Sequence, residues 1–412
     1  LIQKFETPNG LRIVLEKIPT VRSVSIGIWI GTGSRFESTK VNGVSHFLEH
    51  MFFKGTQKRT AQEIAEAFDG IGGQVNAFTS KEYTCYYAKV LDDHANIALD
   101  VLSDMFFHSL FEEKELEKEK NVVLEEIKMY EDAPDDIVHD LLAQASFGNH
   151  SLGYPILGTQ DTLKSFSNKT LREYMNDQYT AENVVISIAG NVDEEFIHQV
   201  EAIFKDVGKS DQKREYITPV FLAEKLVRKK DTEQAHLCLG YNGLPIGHED
   251  VFSLVLLNNI LGGSMSSRLF QEVREKKGLA YSVFSYHSSY HDNGMLTVYS
   301  GTAPHQLDEL YETIMATLNS ISKNGITDKE LTKGKEQLKG NLMLSLESTN
   351  SRMSRNGKNE LLLKRHRSLD ETIEEINNVS LNNVNRLSAD IFSNAYSVAL
   401  ISPEGELPNQ LR

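Results

Sequence analysis

Phe111-Glu-Glu-Lys-Glu-Leu116 and Ile326-Thr-Asp-Lys-Glu-Leu331 share one build: an apolar residue, an acid-rich stretch, and a Leu that begins a helical apolar pattern. Acidic side chains favour the first turn of a helix, so each hexapeptide reads as the opening of a long helix. The first is expected over residues 112–130 and the second after residue 327. Each follows another expected helix, at 93–106 and 305–322. Working outward, alternating apolar runs predict strands at 11–15, 24–30 and within 72–89, with helices at 44–53 and 61–68. A helix at 171–176, a strand at 183–189 and a helix to 204 complete the first half. The second half repeats the order, with a strand at 235–241, a helix at 250–261 and strands within 280–300. Two copies of one α+β unit is the economical reading.

A chain of 412 residues is long for a single hydrophobic core, which agrees with two halves. The polar run Gly208-Lys-Ser-Asp-Gln-Lys-Arg-Glu215 is the best linker, so domains are expected at 1–212 and 213–412. With 40% apolar and 25% charged residues, the composition is that of a globular protein, and no stretch offers the roughly 20 apolar residues of a spanning helix. A net charge of −15 argues against a nucleic-acid partner, which would require clustered Lys and Arg. Gly208-Lys-Ser210 lacks the preceding Gly of a phosphate loop. Cys85 and Cys238 are far apart and read as core thiols, which favours a reducing compartment. The sequence begins at Leu1 with no export signal, so any targeting segment is either absent or already removed; a cytoplasmic location is expected, with no membrane partner.

His46-Phe-Leu-Glu-His50 falls in the helix expected at 44–53. Imidazoles four residues apart lie about 40° apart around a helix axis and can bind one cation from one face. Two neutral imidazoles suit zinc, and Glu49 beside them could take a proton from water that the metal acidifies. This is the inverted zincin order. The rest of the helix is apolar, where unpaired charges would be costly. A structural zinc would need further Cys or His, which the chain does not supply here. The third ligand should come from Glu119-Lys-Asn-Val-Val-Leu-Glu-Glu126 on the long helix. Glu119 and Glu126, two turns apart, share a face, whereas Glu125 points about 100° away; spacing does not choose between the first two.

These residues together resemble the pitrilysin family, in particular its mitochondrial processing peptidase branch and that branch's short bacterial relatives, over nearly the whole chain. The resemblance implies that Glu126, 76 residues after His50, completes the zinc site with His46 and His50, and that Glu119 supports it. Gly72-Gly-Gln-Val-Asn-Ala-Phe-Thr79, followed by Tyr83-Thr84, resembles the family's substrate-binding edge strand. Gly73, Asn76, Ala77, Phe78 and Thr79 would then hold a peptide by main-chain pairing. Arg274-Glu-Lys-Lys-Gly-Leu-Ala-Tyr281 resembles the family's Arg and Tyr pair, implying that Arg274 holds substrate oxygens and Tyr281 stabilises the oxyanion. Asn258-Asn-Ile-Leu-Gly-Gly263 stands where a second motif would be, so one zinc per chain is expected.

The implied fold is two similar α/β-sandwich halves, each a largely antiparallel sheet covered by helices, forming one wall of a clamshell. The implied activity is zinc-dependent endoproteolysis of extended, unfolded peptides or presequence-like segments, with Glu49 as general base. Because one chain supplies one wall, the resemblance implies a dimer with Arg274 and Tyr281 offered across to the partner's zinc, and a homodimer is expected over a heterodimer because this chain carries both the zinc motif and the pair. The competing expectation is a non-catalytic scaffold or peptide-binding subunit of the same fold.

Overall fold

The computed structural model describes residues 2–210 and 214–412. The expected boundary between residues 212 and 213 therefore lies outside the described residues. Eleven strands are assigned among those described: β1 Ile2–Glu6, β2 Arg12–Lys17, β3 Ser23–Ile30, β4 Gln74–Thr79, β5 Thr84–Leu91, β6 Val184–Gly190, β7 Lys225–Lys229, β8 Ala235–Asn242, β9 Ala280–Ser289, β10 Gly294–Thr302 and β11 Tyr396–Ser402. They form two sheets, of order β1-β2-β6-β3-β5-β4 and β7-β11-β8-β10-β9. Without β1, the two orders correspond strand for strand. In each, one parallel pair (β2 with β6, β7 with β11) interrupts an otherwise antiparallel sheet. The internal repeat read from the helix openings is thus a repeat of topology, and the two halves are similar α/β units.

The contacts group the chain into two units that are not contiguous. One comprises Leu1–Lys128, Tyr154–Tyr216 and Met343–Ser368; the other comprises Met129–Gly153, Ile217–Leu342 and Leu369–Arg412. Each half lends the other a helix. In the first unit, one sheet face (Ile26, Ile28, Ile186, Ile188) packs on helices of its own half. The other face (Val14, Trp29, Cys85, Val185, Ala189) receives Met353 from the helix Thr349–Leu363. β3 is accordingly buried from Val24 to Ile30, with the small residues Ser25 and Gly27 on the face that the helix Thr349–Leu363 covers. In the second unit, the helix Pro134–Phe147 does the corresponding work, packing Ile137, Val138, Leu141 and Leu142 on Cys238, Tyr299, Ala399 and Ile401. Cys85 and Cys238 are both buried and unbridged. No helix among the described residues is long and apolar enough to cross a membrane.

Candidate metal centre

The helix Val44–Met51 buries Val44, Phe47, Leu48 and Met51 in the first unit's core, which turns His46, Glu49 and His50 to the other side. The long helix Glu113–Glu131 lies opposite and buries Leu116, Glu119 and Val123. Glu126 is one heptad beyond Glu119 and shares its face. Glu125 is turned away, exposed and paired with Lys128 at 2.7 Å.

His46 Nε2 and His50 Nε2 lie 3.7 and 3.4 Å from Glu126 Oε2. The three ligand atoms all fall within 4.8 Å of one another. Ligands bonded at about 2.0–2.1 Å to a tetrahedral zinc stand about 3.3–3.5 Å apart, so the two imidazole–carboxylate distances are near the separation zinc requires. His50 Nδ1 meets Glu119 Oε1 at 2.8 Å, which fixes its tautomer and leaves Nε2 for a metal. Lys54 Nζ holds the other Glu119 oxygen at 2.7 Å. The donor set, two imidazoles and one carboxylate, suits a catalytic zinc, which takes three protein ligands and leaves its fourth position to water or substrate.

Burial and the neighbouring His50 push His46 down to about 4, so its ring is neutral near pH 7. Burial acts on His50 too, but the Glu119 and Glu126 carboxylates outweigh it and raise His50 to about 9. Two carboxylates thus favour a positive charge where the imidazoles converge, and a divalent ion would replace the His50 proton. Burial raises the Glu49 carboxyl, opposed by a hydrogen bond from Thr79.

Thr79 ends β4, an edge strand that among the described residues pairs with β5 alone. Val75 and Ala77 face the core. Phe78, on the other face, meets the Trp29 ring edge-on at 5.6 Å. The Asn76 side chain accepts from the Ala77 amide, and Gly73 precedes the strand. Arg274 and Tyr281 belong to the second unit, where the Arg274 guanidinium sits 4.3 Å from the Tyr281 ring centre and Nη1 donates to the Tyr281 carbonyl at 3.1 Å. Tyr281 is 78% exposed, unusual for a side chain of that size. Sequence reasoning missed Lys54, four residues beyond His50, and Glu37, whose carboxylate reaches the start of the motif helix. A charge set in the apolar run Met51-Phe-Phe-Lys54 was the available signal for the first.

Comparison with known proteins adds independent findings. The family described as Insulinase (Peptidase family M16) matches residues 12–160, and the one described as Peptidase M16 inactive domain matches residues 165–338. The uncharacterised zinc protease YmxG of Bacillus subtilis is 65% identical over 409 residues, 99% of this chain and 100% of its own length. An uncharacterised zinc protease of Streptomyces coelicolor, SCO5738, is 42% identical over 412 residues, 98% of this chain and 90% of its own. The crystal structure of a protease from Helicobacter pylori has the same fold, with a TM-score of 0.92 at 23% identity over 98% of this chain and 99% of that one.

Proposed function

The chain belongs to peptidase family M16, the insulinase family, and on that premise we propose that it is a zinc-dependent endopeptidase acting on extended, unfolded peptides or presequence-like segments. The observation that carries the reading is the convergence of His46, His50 and Glu126 beside Glu49, itself bonded to the last residue of an open strand edge. Zinc, when bound, would acidify water to a pKa of about 7 and polarise the scissile carbonyl.

The chain's own residues do the rest. β4 holds the substrate backbone as an added strand, through main-chain groups of Gly73 to Thr79, a mode that would admit varied sequences. Glu49 takes the proton of the attacking water on a carboxylate oxygen and passes it to the leaving amine. Glu119 orients His50. Tyr281 donates to the oxyanion and Arg274 to substrate carbonyl or carboxylate oxygens. The Tyr281 exposure supports availability for such a role. The proposal extends to a dimer in which Arg274 and Tyr281 are offered across to the metal of the partner, and to a homodimer rather than a heterodimer because one chain carries both the metal ligands and this pair.

Cleavage of a library of unstructured peptides by purified protein, with metal analysis and the Glu49→Gln variant alongside, tests the reading. Products lost with chelator and in the variant, at one zinc per chain, are expected. Bound zinc without any product would turn the reading to a peptide-binding subunit.

A further inference from the structure

The helix that carries His46, Glu49 and His50 begins without a cap of its own. Gly43 occupies the N-cap position with φ +92°, contributes no side-chain hydrogen bond, and no acid follows in the first turn. The reason is steric: a Cβ at Gly43 would stand 2.7 Å from the Gly158 Cα, so Ser, Thr or Asp cannot be fitted there. Yet Asn42, Gly43, Val44 and Ser45 are buried, where water cannot satisfy the first amides.

Glu37 reaches in from outside the helix. Its Oε2 accepts from the Gly43 amide at 2.7 Å and from Asn42 Nδ2 at 3.0 Å, while Oε1 accepts from the Ser45 amide at 2.8 Å. The side chain is 5% exposed. The Ser45 hydroxyl meets the Tyr174 hydroxyl at 2.7 Å, which in turn meets the Thr32 hydroxyl at 2.8 Å, so the turn is tied at a second point.

His46 follows Ser45 directly. The two imidazoles are held differently: His50 Nδ1 is fixed by Glu119, whereas His46 Nδ1 is buried without a hydrogen-bond partner. Its aim is therefore set by the backbone of the first turn. We propose that Glu37 is a positioning residue of the zinc site, a remote cap that holds the first turn and thereby points His46 at the metal. The proposal rests on reading the site as a zinc centre.

Glu37→Gln keeps the shape but turns an amide NH2 toward one of three donors. It is expected to bind zinc roughly 10–100-fold more weakly by chelator competition, as loss of outer support of a ligand typically does. With zinc saturating, kcat should fall while KM, set at β4, stays within about twofold. Thr60→Ala, which removes the cap of the neighbouring helix Ala61–Asp69, is the control for a purely structural loss and should leave zinc affinity unchanged. In the wild type, hydrogen exchange should find the Gly43 and Ser45 amides protected, although helix-start amides ordinarily exchange freely. That arm needs no variant, so a Glu37→Gln chain that failed to fold would not shelter the idea. Free exchange at both amides, or wild-type zinc affinity in folded Glu37→Gln, overturns the inference alone. A wild type that binds no zinc overturns the reading of the site and the inference with it.

Discussion

The Thr79 hydroxyl donates to Glu49 Oε2 across 2.5 Å, tying the last residue of the open edge strand to the carboxylate beside the imidazoles. Burial works against ionisation of Glu49, and this bond works for it. In the proposed mechanism the base must be unprotonated to accept a proton, so the bond would help keep Glu49 in its working state and leave its other oxygen for the attacking water.

Thr79→Val keeps the shape and removes the donor. A hydrogen bond to a charged group is worth about 1.5–3 kcal/mol, so kcat should drop roughly tenfold to hundredfold at neutral pH. Zinc content should not change, because none of the three ligands touches Thr79. Steady-state kinetics with metal analysis checks both halves, and an unchanged kcat would remove the bond from the mechanism.

Glu119 accepts from His50 Nδ1 and is held by Lys54. Glu119→Gln leaves an acceptor but removes the charge that makes His50 a stronger donor to the metal. Zinc affinity is expected to fall about tenfold or more. Titration against a chelator of known affinity decides it, and equal affinity would reduce Glu119 to a packing role.

The site was legible because helix geometry alone brings His46, Glu49 and His50 to one side. The roles of Glu119 and Glu126 were not separable by spacing, since both lie on one face of one helix. What separates them is tertiary: Glu119 meets the Nδ1 side of His50, while Glu126 stands near Nε2 of both imidazoles. The exchanged helices were illegible for a related reason. A repeated topology offers two equivalent sheets, and no local pattern says which one a helix will cover. The helix Thr349–Leu363 conceals itself further, because its buried side includes Asn356 and Glu360. Asn356 Nδ2 donates to Glu16 at 2.7 Å, and Glu360 pairs with Lys4 and Arg12, residues more than 300 positions away in the chain.

Gly357 tests that packing. A Cβ there would stand 2.3 Å from Trp29 Nε1, and the ring is 2% exposed and cannot retreat. Gly357→Ala would gain about 1 kcal/mol in helix propensity, but overpacking a filled interior costs about 1–3 kcal/mol and a 2.3 Å approach belongs at the upper end. The net expectation is a loss of about 1–2 kcal/mol. Trp29 is the sole tryptophan, so its fluorescence during urea unfolding reports directly. An unshifted or higher midpoint would mean that the helix does not press on the sheet at Trp29.

Glu360 supplies a pH signature for the same helix. Its carboxylate bonds Lys4 Nζ and His366 Nε2 at 2.7 Å each and lies 3.5 Å from Arg12 Nη1. Burial pushes the carboxyl up, but the His366 and Lys4 hydrogen bonds and the Lys4 and Arg12 charges outweigh it and bring it to about 2, from about 4.5 when unfolded. A depressed folded value means that the unfolded chain takes up the proton first. The stabilisation is therefore complete above about 4.5, shrinks as pH falls toward about 2, and is gone below that. Glu360→Gln should be less stable than wild type by about 2 kcal/mol near neutral pH, a charged hydrogen-bonded group having lost its ion pairs. The two proteins should converge as pH drops through the window. Thermal unfolding of both across pH 2–7 measures the gap. A gap that stays constant to the acid end would show that Glu360 holds the helix by shape, with its charge contributing nothing.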